Sequence, residues 1–336
     1  MLCPARSGVS VGVIGLATKD TLTTAMASRF DGLGFLDEEV ALARTVPAVW
    51  GAGADAVVVL AHECRERMVP IVERHPEWQL SFVGLGHCHR KGVERVAGTA
   101  VAAPGWRLDH YVRVKLRIEP SATGPRRAEI IADDLVPVSA SSGAAPKSVD
   151  PAFDQRIADW QRIIDRAFGE VIGYTATGLA RKSPELGQWV VRAWRERLAV
   201  DVAATTRGAI RQEIPPGPIQ LATVYSVLPF ENTLVVSSVP GAALAGLLGR
   251  ERMIFSGVAR RPDGSFVLSS GEPLDPAARY KVVTTDYLYL SGGRYPLKEI
   301  DPAADQTGTD WRTPVVEWTR SLASTKQRPL ESLLTP

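Results

Sequence analysis

ADAVVVLAH, residues 54–62, decides the architecture. Its continuous run of branched and small apolar residues is strand-length, and a strand of this kind reads as buried on both faces. Its last residue, His62, stands where the chain leaves the sheet. Working outward, VSVGVIGLA (9–17) is a second Val/Ile-rich strand, and SFVGLG (81–86) is a third that runs directly into GHCH (86–89). Between the first two lies a helical stretch from Asp37 to Gly51, with acids in its first turn and Pro47 as a kink. Between the next two lies a helix from about Glu66 to Arg74. Strands alternating with helices in so short a span predict a βαβ layered sheet, whose ligands gather at the carboxyl ends of the strands. His62, His87 and His89 occupy such ends.

Farther along, VAGTAVAAPG (96–105), HYVRVKLRIE (110–119) and RAEIIADDLVPV (127–138) alternate apolar with polar, which suits an antiparallel sheet with one exposed face. SASSGAAPKSVDP (139–151) has the Ser/Gly/Pro composition of a linker. Ile157, Trp160, Ile163, Ile164 and Phe168 recur at helical spacing and predict an amphipathic helix over 153–168 that bridges two domains. The remainder reads as mixed α/β. The expected organisation is thus a first domain over 1–140, a linker and interdomain helix over 141–170, and a second domain over 171–336, in the α/β and α+β classes.

The 336 residues carry 39 Lys and Arg against 37 Asp and Glu, a net +2. No basic stretch is interleaved with aromatics, so no nucleic-acid groove is predicted and small soluble substrates fit better. Charges and prolines interrupt every apolar run before membrane-span length, and the opening MLCPARSGVSVGVIGLATKD reads as a strand rather than a signal peptide. Cys3, Cys64 and Cys88 are odd in number and lack metal-knuckle spacing, which predicts neither a disulfide framework nor a structural zinc module. Compartment and oligomeric state stay open. Phosphoester hydrolysis by two metals needs imidazoles and carboxylates converging on ions about 3.5–4 Å apart, and an H-x-H pair on a turn can feed two such ions. Cys88 within GHCH reads as a soft ligand or a small filler, and His75 and His110 as surface or packing residues.

VGVIGLATKDT, GADAVVVLAHE and the GHCH turn together resemble the second half of the calcineurin-like metallophosphoesterase domain of bacterial 5'-nucleotidases. In that family the matching segments are a G-I-I-G-L strand, a D-x-hydrophobic-hydrophobic-L-S-H strand and a G-H-x-H turn. The resemblance extends through TRGAIR (206–211), LPFENTLV (228–235), SVPGAALAGLL, FSGVARRPDGS and YKVVTTDYLYLSGGRYP, in order along most of the chain. It implies a metal-dependent phosphomonoester hydrolase of nucleotide catabolism, with divalent cations (Zn, Mn, Co or Mg, two in a complete member) as cofactors and a nucleotide or other phosphate ester as partner. Metal ligands carried over are His62 and His87 for one ion and His89 for the other. Substrate contacts carried over are Arg211 for an anionic or ribose oxygen, Phe230 for the base, Asn232 as polar support, Arg181, and Tyr287 or Tyr289 as a second aromatic. Relatives are often periplasmic or exported.

The family's Asp-x-His, Gly-Asp and Gly-Asn-His motifs are not in this sequence, which holds a single asparagine, Asn232. No catalytic residue is therefore assigned, and the resemblance implies a chain truncated at its front and a poor hydrolase as it stands, with an exposed apolar edge near Val9 to Ala17. Thr206 and Arg207 replace the family's Asn-Gly, and GGRY replaces G-G-D-G-Y, placing Arg294 near the sugar position. The alternatives are a non-catalytic nucleotide-binding protein and a thiosulfohydrolase-like or cyclic-phosphodiesterase relative.

Overall fold

The computed structural model describes residues 1–4, 8–25, 30, 32–119, 127–138, 150–291 and 295–334. Most of the Ser/Gly linker and Arg294 lie outside them. The chain forms two compact units, Met1–Lys147 and Ser148–Pro336. Helix Pro151–Phe168 belongs to the second; Phe153, Ile157, Trp160 and Ile163 of its apolar stripe are exposed.

The first unit is built on a six-stranded sheet of β1 (Leu2–Pro4), β2 (Ser10–Ala17), β3 (Ala56–His62), β4 (Phe82–Leu85), β5 (Lys91–Val96) and β6 (Thr99–Pro104), in the order β1-β2-β3-β4-β6-β5. The four inner strands are parallel and the two edges antiparallel. Helices Glu38–Gly51 and Arg65–Arg74 make the crossovers expected between parallel strands. The first is capped by Asp37, whose carboxylate accepts from the Glu39 N–H at 3.1 Å. Gly12 of β2 lies against this helix, and a Cβ there would collide with Val49.

Three expectations are corrected. β3 is not covered on both faces: Val57 and Val59 are fully buried against the helices, whereas Leu60, on the opposite face, is 52% exposed. Period-two alternation then places His62 on the face of Leu60. β6 does not begin a separate antiparallel sheet but joins the parallel one beside β4, because Thr99, Ala100, Val101 and Ala102 are small enough to be buried on both faces. Of the three strands expected in that sheet, His110–Glu119 and Arg127–Pro137 form their own antiparallel pair. The outer edge of β2 is in part covered, with β1 pairing along Ser10 to Gly12.

The second unit centres on a five-stranded sheet ordered Met253–Ser256, Val202–Thr206, Arg279–Thr285, Thr233–Pro240 and Asp305–Asp310. Neighbouring residues of these strands face opposite cores. Ala203, Leu234 and Val283 pack with Trp189, Trp194 and Trp311. Val202, Val235 and Val282 pack instead with Leu244, Leu288 and Tyr289. A sheet sandwiched between two helical layers explains why its strands read as unbroken apolar runs. The buried indoles are satisfied, Trp189 Nε1 donating to Thr319 Oγ1 at 2.9 Å and Trp194 Nε1 to the Trp311 carbonyl at 2.8 Å. No helix among the described residues is long and apolar enough to cross a membrane.

Candidate functional site

His62 ends β3, and the turn after β4 brings His87 to it. The Gly86 N–H donates to the Ala61 carbonyl at 2.9 Å, which extends the β3–β4 ladder to the residue before His87. The Cys88 N–H then folds back to the Gly86 carbonyl at 2.7 Å, closing a three-residue turn around His87, whose φ is +61. The result sets His87 Nδ1 3.2 Å from His62 Nε2. Two imidazoles ligating one ion at about 2.1 Å, at angles between octahedral and tetrahedral, have nitrogens about 3.0–3.4 Å apart. The two nitrogens stand at hydrogen-bonding distance, a separation that a shared divalent cation would also require. His62 opens onto a cleft of about 420 Å³ that also touches Leu60, Phe82, Gly84 and Ala102.

His89 does not join this pair. Its ring stacks on Trp106 with centroids 5.2 Å apart, and the Arg107 guanidinium lies 4.1 Å from the centre of the same indole. Among the described residues the one group of three potential ligands with all donor atoms within 4.8 Å is Cys64, Glu66 and Cys88. No carboxylate completes such a group with His62 and His87 there.

Two features escaped sequence reading. Cys64 and Cys88 form a disulfide, contrary to the expectation from cysteine count. The spacing signal was present, since each cysteine lies within two residues of a site histidine, but pairing of strand ends 24 residues apart is a tertiary fact. Glu63, beside His62, is buried with Glu38 around the Arg67 guanidinium, whose Nη1 lies 3.4 Å and 3.3 Å from their carboxylates, while Asp20 pairs with Nη2 at 3.0 Å. Burial works against the Glu38 carboxylate, but the Lys19 N–H bond and Arg67 outweigh it and hold its pKa below the ordinary value. This network fixes the segment that follows His62.

In the second unit, Arg181, Arg211 and Phe230 share one neighbourhood. Arg181 Nε donates to the Ile210 carbonyl at 3.3 Å, next to Arg211. The Arg211 N–H donates to the Val227 carbonyl at 2.9 Å, and its guanidinium carbon sits 5.6 Å from the Phe230 ring centre. Phe230 is 45% exposed, and its carbonyl is held by Trp311 Nε1 at 2.8 Å. Asn232 is buried and donates to Asp286 Oδ1 at 2.6 Å, so it is a brace rather than an accessible contact. Tyr289 is core: it is 1% exposed, and its hydroxyl donates to the Asp301 carbonyl at 3.0 Å. Burial removes it from any base clamp, leaving the half-buried Tyr287.

Comparison with known proteins matches residues 171–299 to the 5'-nucleotidase C-terminal domain. Protein UshA of Yersinia enterocolitica is 31% identical over 37% of this chain, which covers 24% of that protein. The chain thus spans about a quarter of the length of the UshA relatives it matches. Among solved structures, a 5'-nucleotidase precursor of Thermus thermophilus superposes with a TM-score of 0.73 at 22% identity, over 97% of this chain and 72% of that one. The sulfate thiohydrolase SoxB of Thermus thermophilus superposes at 0.69 with 19% identity, over 96% and 62%. The structural likenesses show a shared fold along nearly the whole chain.

Proposed function

We propose, from the match of residues 171–299 to the 5'-nucleotidase C-terminal domain, that the chain belongs to that family and serves metal-dependent hydrolysis of nucleotide phosphomonoesters. The observation that carries this reading is the 3.2 Å approach of His62 Nε2 and His87 Nδ1 at the carboxyl ends of parallel strands. His62 and His87 would hold a divalent cation there, which would supply Lewis-acid activation of water and of a phosphoryl oxygen. Imidazole donors favour Zn or Co over Mg.

The chain's own residues divide the remaining work. His62 and His87 present ring nitrogens to one ion, and His89 serves a neighbouring position. Arg211 offers forked donors to an anionic or ribose oxygen of the nucleotide. Phe230 gives its exposed face to the base, with Tyr287 as the second aromatic and Arg181 as a further cation. Asn232 and Asp286 act indirectly, fixing the backbone that carries Phe230.

The test is phosphate release from nucleoside 5'-monophosphates by the purified chain with Zn, Mn, Co or Mg. Cation binding that disappears in the His62→Ala/His87→Ala double variant is expected, with at most slow cation-dependent phosphate release, since the sequence holds no Asp-x-His, Gly-Asp or Gly-Asn-His motif. A second reading, a non-catalytic nucleotide-binding protein, is favoured by the lack of a carboxylate grouped with His62 and His87 among the described residues. It predicts calorimetric nucleotide binding that is indifferent to cation, with no phosphate released. Cyclic nucleotides and sulfate thioesters in the same panel separate the reading from relatives of other specificity.

A further inference from the structure

We propose that the Cys64–Cys88 disulfide is a positioning element of the histidine pair: it pins the turn carrying His87 and His89 to the exit of the strand carrying His62, and its reduction weakens cation capture. The proposal rests on the reading of His62 and His87 as cation ligands. Cys64 lies two residues after His62 and Cys88 lies between His87 and His89, with the two Cα atoms 5.3 Å apart. One covalent bond therefore joins the two segments whose relative position sets the 3.2 Å nitrogen approach.

The two ends of the bond are held unequally. Cys64 is the cap residue of helix Arg65–Arg74 and follows the buried Glu63, whose carboxylate accepts the Cys64 N–H at 2.6 Å. That end is an anchor. Cys88 lies in residues 86–90, between β4 and β5, flanked by His87 at φ +61 and His89 at φ +55. Left-handed backbone at two non-glycine residues persists where the surroundings over-determine it. The further tie from this turn to the helix, Arg90 Nη1 to Glu66 Oε1 at 2.9 Å, is an exposed ion pair and holds weakly against salt. Release of the disulfide thus frees the turn, not the helix, and moves His87 relative to His62.

The reductant is a dithiol. One of its thiolates attacks a cystine sulfur and expels the other cysteine as thiolate; its second thiolate then displaces the first cysteine. Two electrons pass to the protein, which ends with two cysteine thiols, and the dithiol ends as a cyclic disulfide. The freed thiols sit beside Glu66, with donor atoms within 4.8 Å, so they could themselves compete for a soft ion.

Cobalt(II) distinguishes the two roles, because thiolate ligation adds near-ultraviolet charge-transfer bands that imidazole ligation lacks. The 336-residue chain is titrated oxidised, after dithiol reduction and removal of excess reductant, and as the Cys64→Ser/Cys88→Ser variant. The expected result is affinity weaker by about tenfold or more in both altered forms, in line with loss of a support behind metal ligands, together with faster amide exchange at residues 86–90. Equal cobalt affinity in the oxidised chain and in a folded variant would overturn the proposal. So would tighter binding with thiolate bands after reduction, which would make the cysteines ligands. If the oxidised chain takes up no cobalt, the histidine-site reading fails on its own account. Amide exchange then still judges the staple: unchanged exchange at 86–90 on reduction overturns it, and this readout also serves if the serine variant does not fold.

Discussion

Asn232 Nδ2 donates to Asp286 Oδ1 at 2.6 Å, joining the loop before strand Thr233–Pro240 to the start of helix Asp286–Leu290, 54 residues farther along the chain. The same carboxylate oxygen accepts the Tyr287 N–H at 2.7 Å, so the bond holds the Phe230 loop to the helix bearing Tyr287. Asn232→Ala leaves a buried carboxylate without one of its donors and should cost about 1–3 kcal/mol of stability. Denaturant unfolding of the chain measures it. Asn232→Asp should cost more, since two buried carboxylates then face each other. A variant as stable as the parent would remove the brace from the account.

The histidines should not be equivalent. His62→Ala and His87→Ala are each expected to weaken cobalt or zinc binding by about tenfold or more, because each leaves a single imidazole of a close pair. His89→Ala should change this first-ion affinity much less, since its ring lies against Trp106. Isothermal titration of the three variants checks the order, and an equal loss in all three would contradict the placement of His89.

Phe230 projects from the domain at 45% exposure with the Arg211 guanidinium near its ring. Phe230→Ala should lower nucleotide affinity by roughly 1–3 kcal/mol, the scale of one base–aromatic stack, with little effect on melting temperature. Tyr289→Ala should do the reverse, destabilising the fold by about 3–5 kcal/mol as a buried large-to-small change. Fluorescence titration with a nucleoside monophosphate, paired with thermal melts, separates the two.

His75 lies between Glu39 and Glu77, its ring nitrogens 2.7 Å from both, and stacks on Trp78 with centroids 4.0 Å apart. Glu77 and then Glu39 raise the His75 pKa above 6.5, while Arg74 and then His75 hold Glu39 at about 2. A raised histidine contributes stability that is full below 6.5 and is lost as pH rises through its folded value. A depressed carboxylate contributes stability that is present above 4.5 and is lost as pH falls towards about 2. The cluster is therefore most stabilising between these limits. An NMR titration of His75 should show a midpoint above 6.5 that falls in Glu77→Gln; no change would sink the assignment.

The parallel strands were legible because ADAVVVLAH, VSVGVIGLA and SFVGLG each combine strand length with branched apolar residues. The start of helix Glu38–Gly51 was legible from the acids at Asp37, Glu38 and Glu39, and the Asp37 side chain does accept an N-terminal amide. The exposed face at Leu60 was not, since a continuous apolar run has the same appearance whether one face or both are covered. The fate of β6 was equally hidden: TAVA carries no mark that distinguishes a hairpin edge from an inner parallel strand. Tyr287 and Tyr289 sit two residues apart at a helix start, where spacing alone could not say which enters the core.

By itself the sequence determined the alternation of strands and helices, the strand-end positions of His62 and His87, and the ordered motifs of the second unit, because these depend on local periodicity and residue chemistry. Only the tertiary structure decided that His62 meets His87 at 3.2 Å while His89 turns to Trp106, that Cys64 bonds Cys88, and that Asn232 braces Asp286. The physical reason is the same in each case. A side chain's partner is set by backbone direction at strand ends and turns, and that direction is fixed by packing between segments distant in sequence.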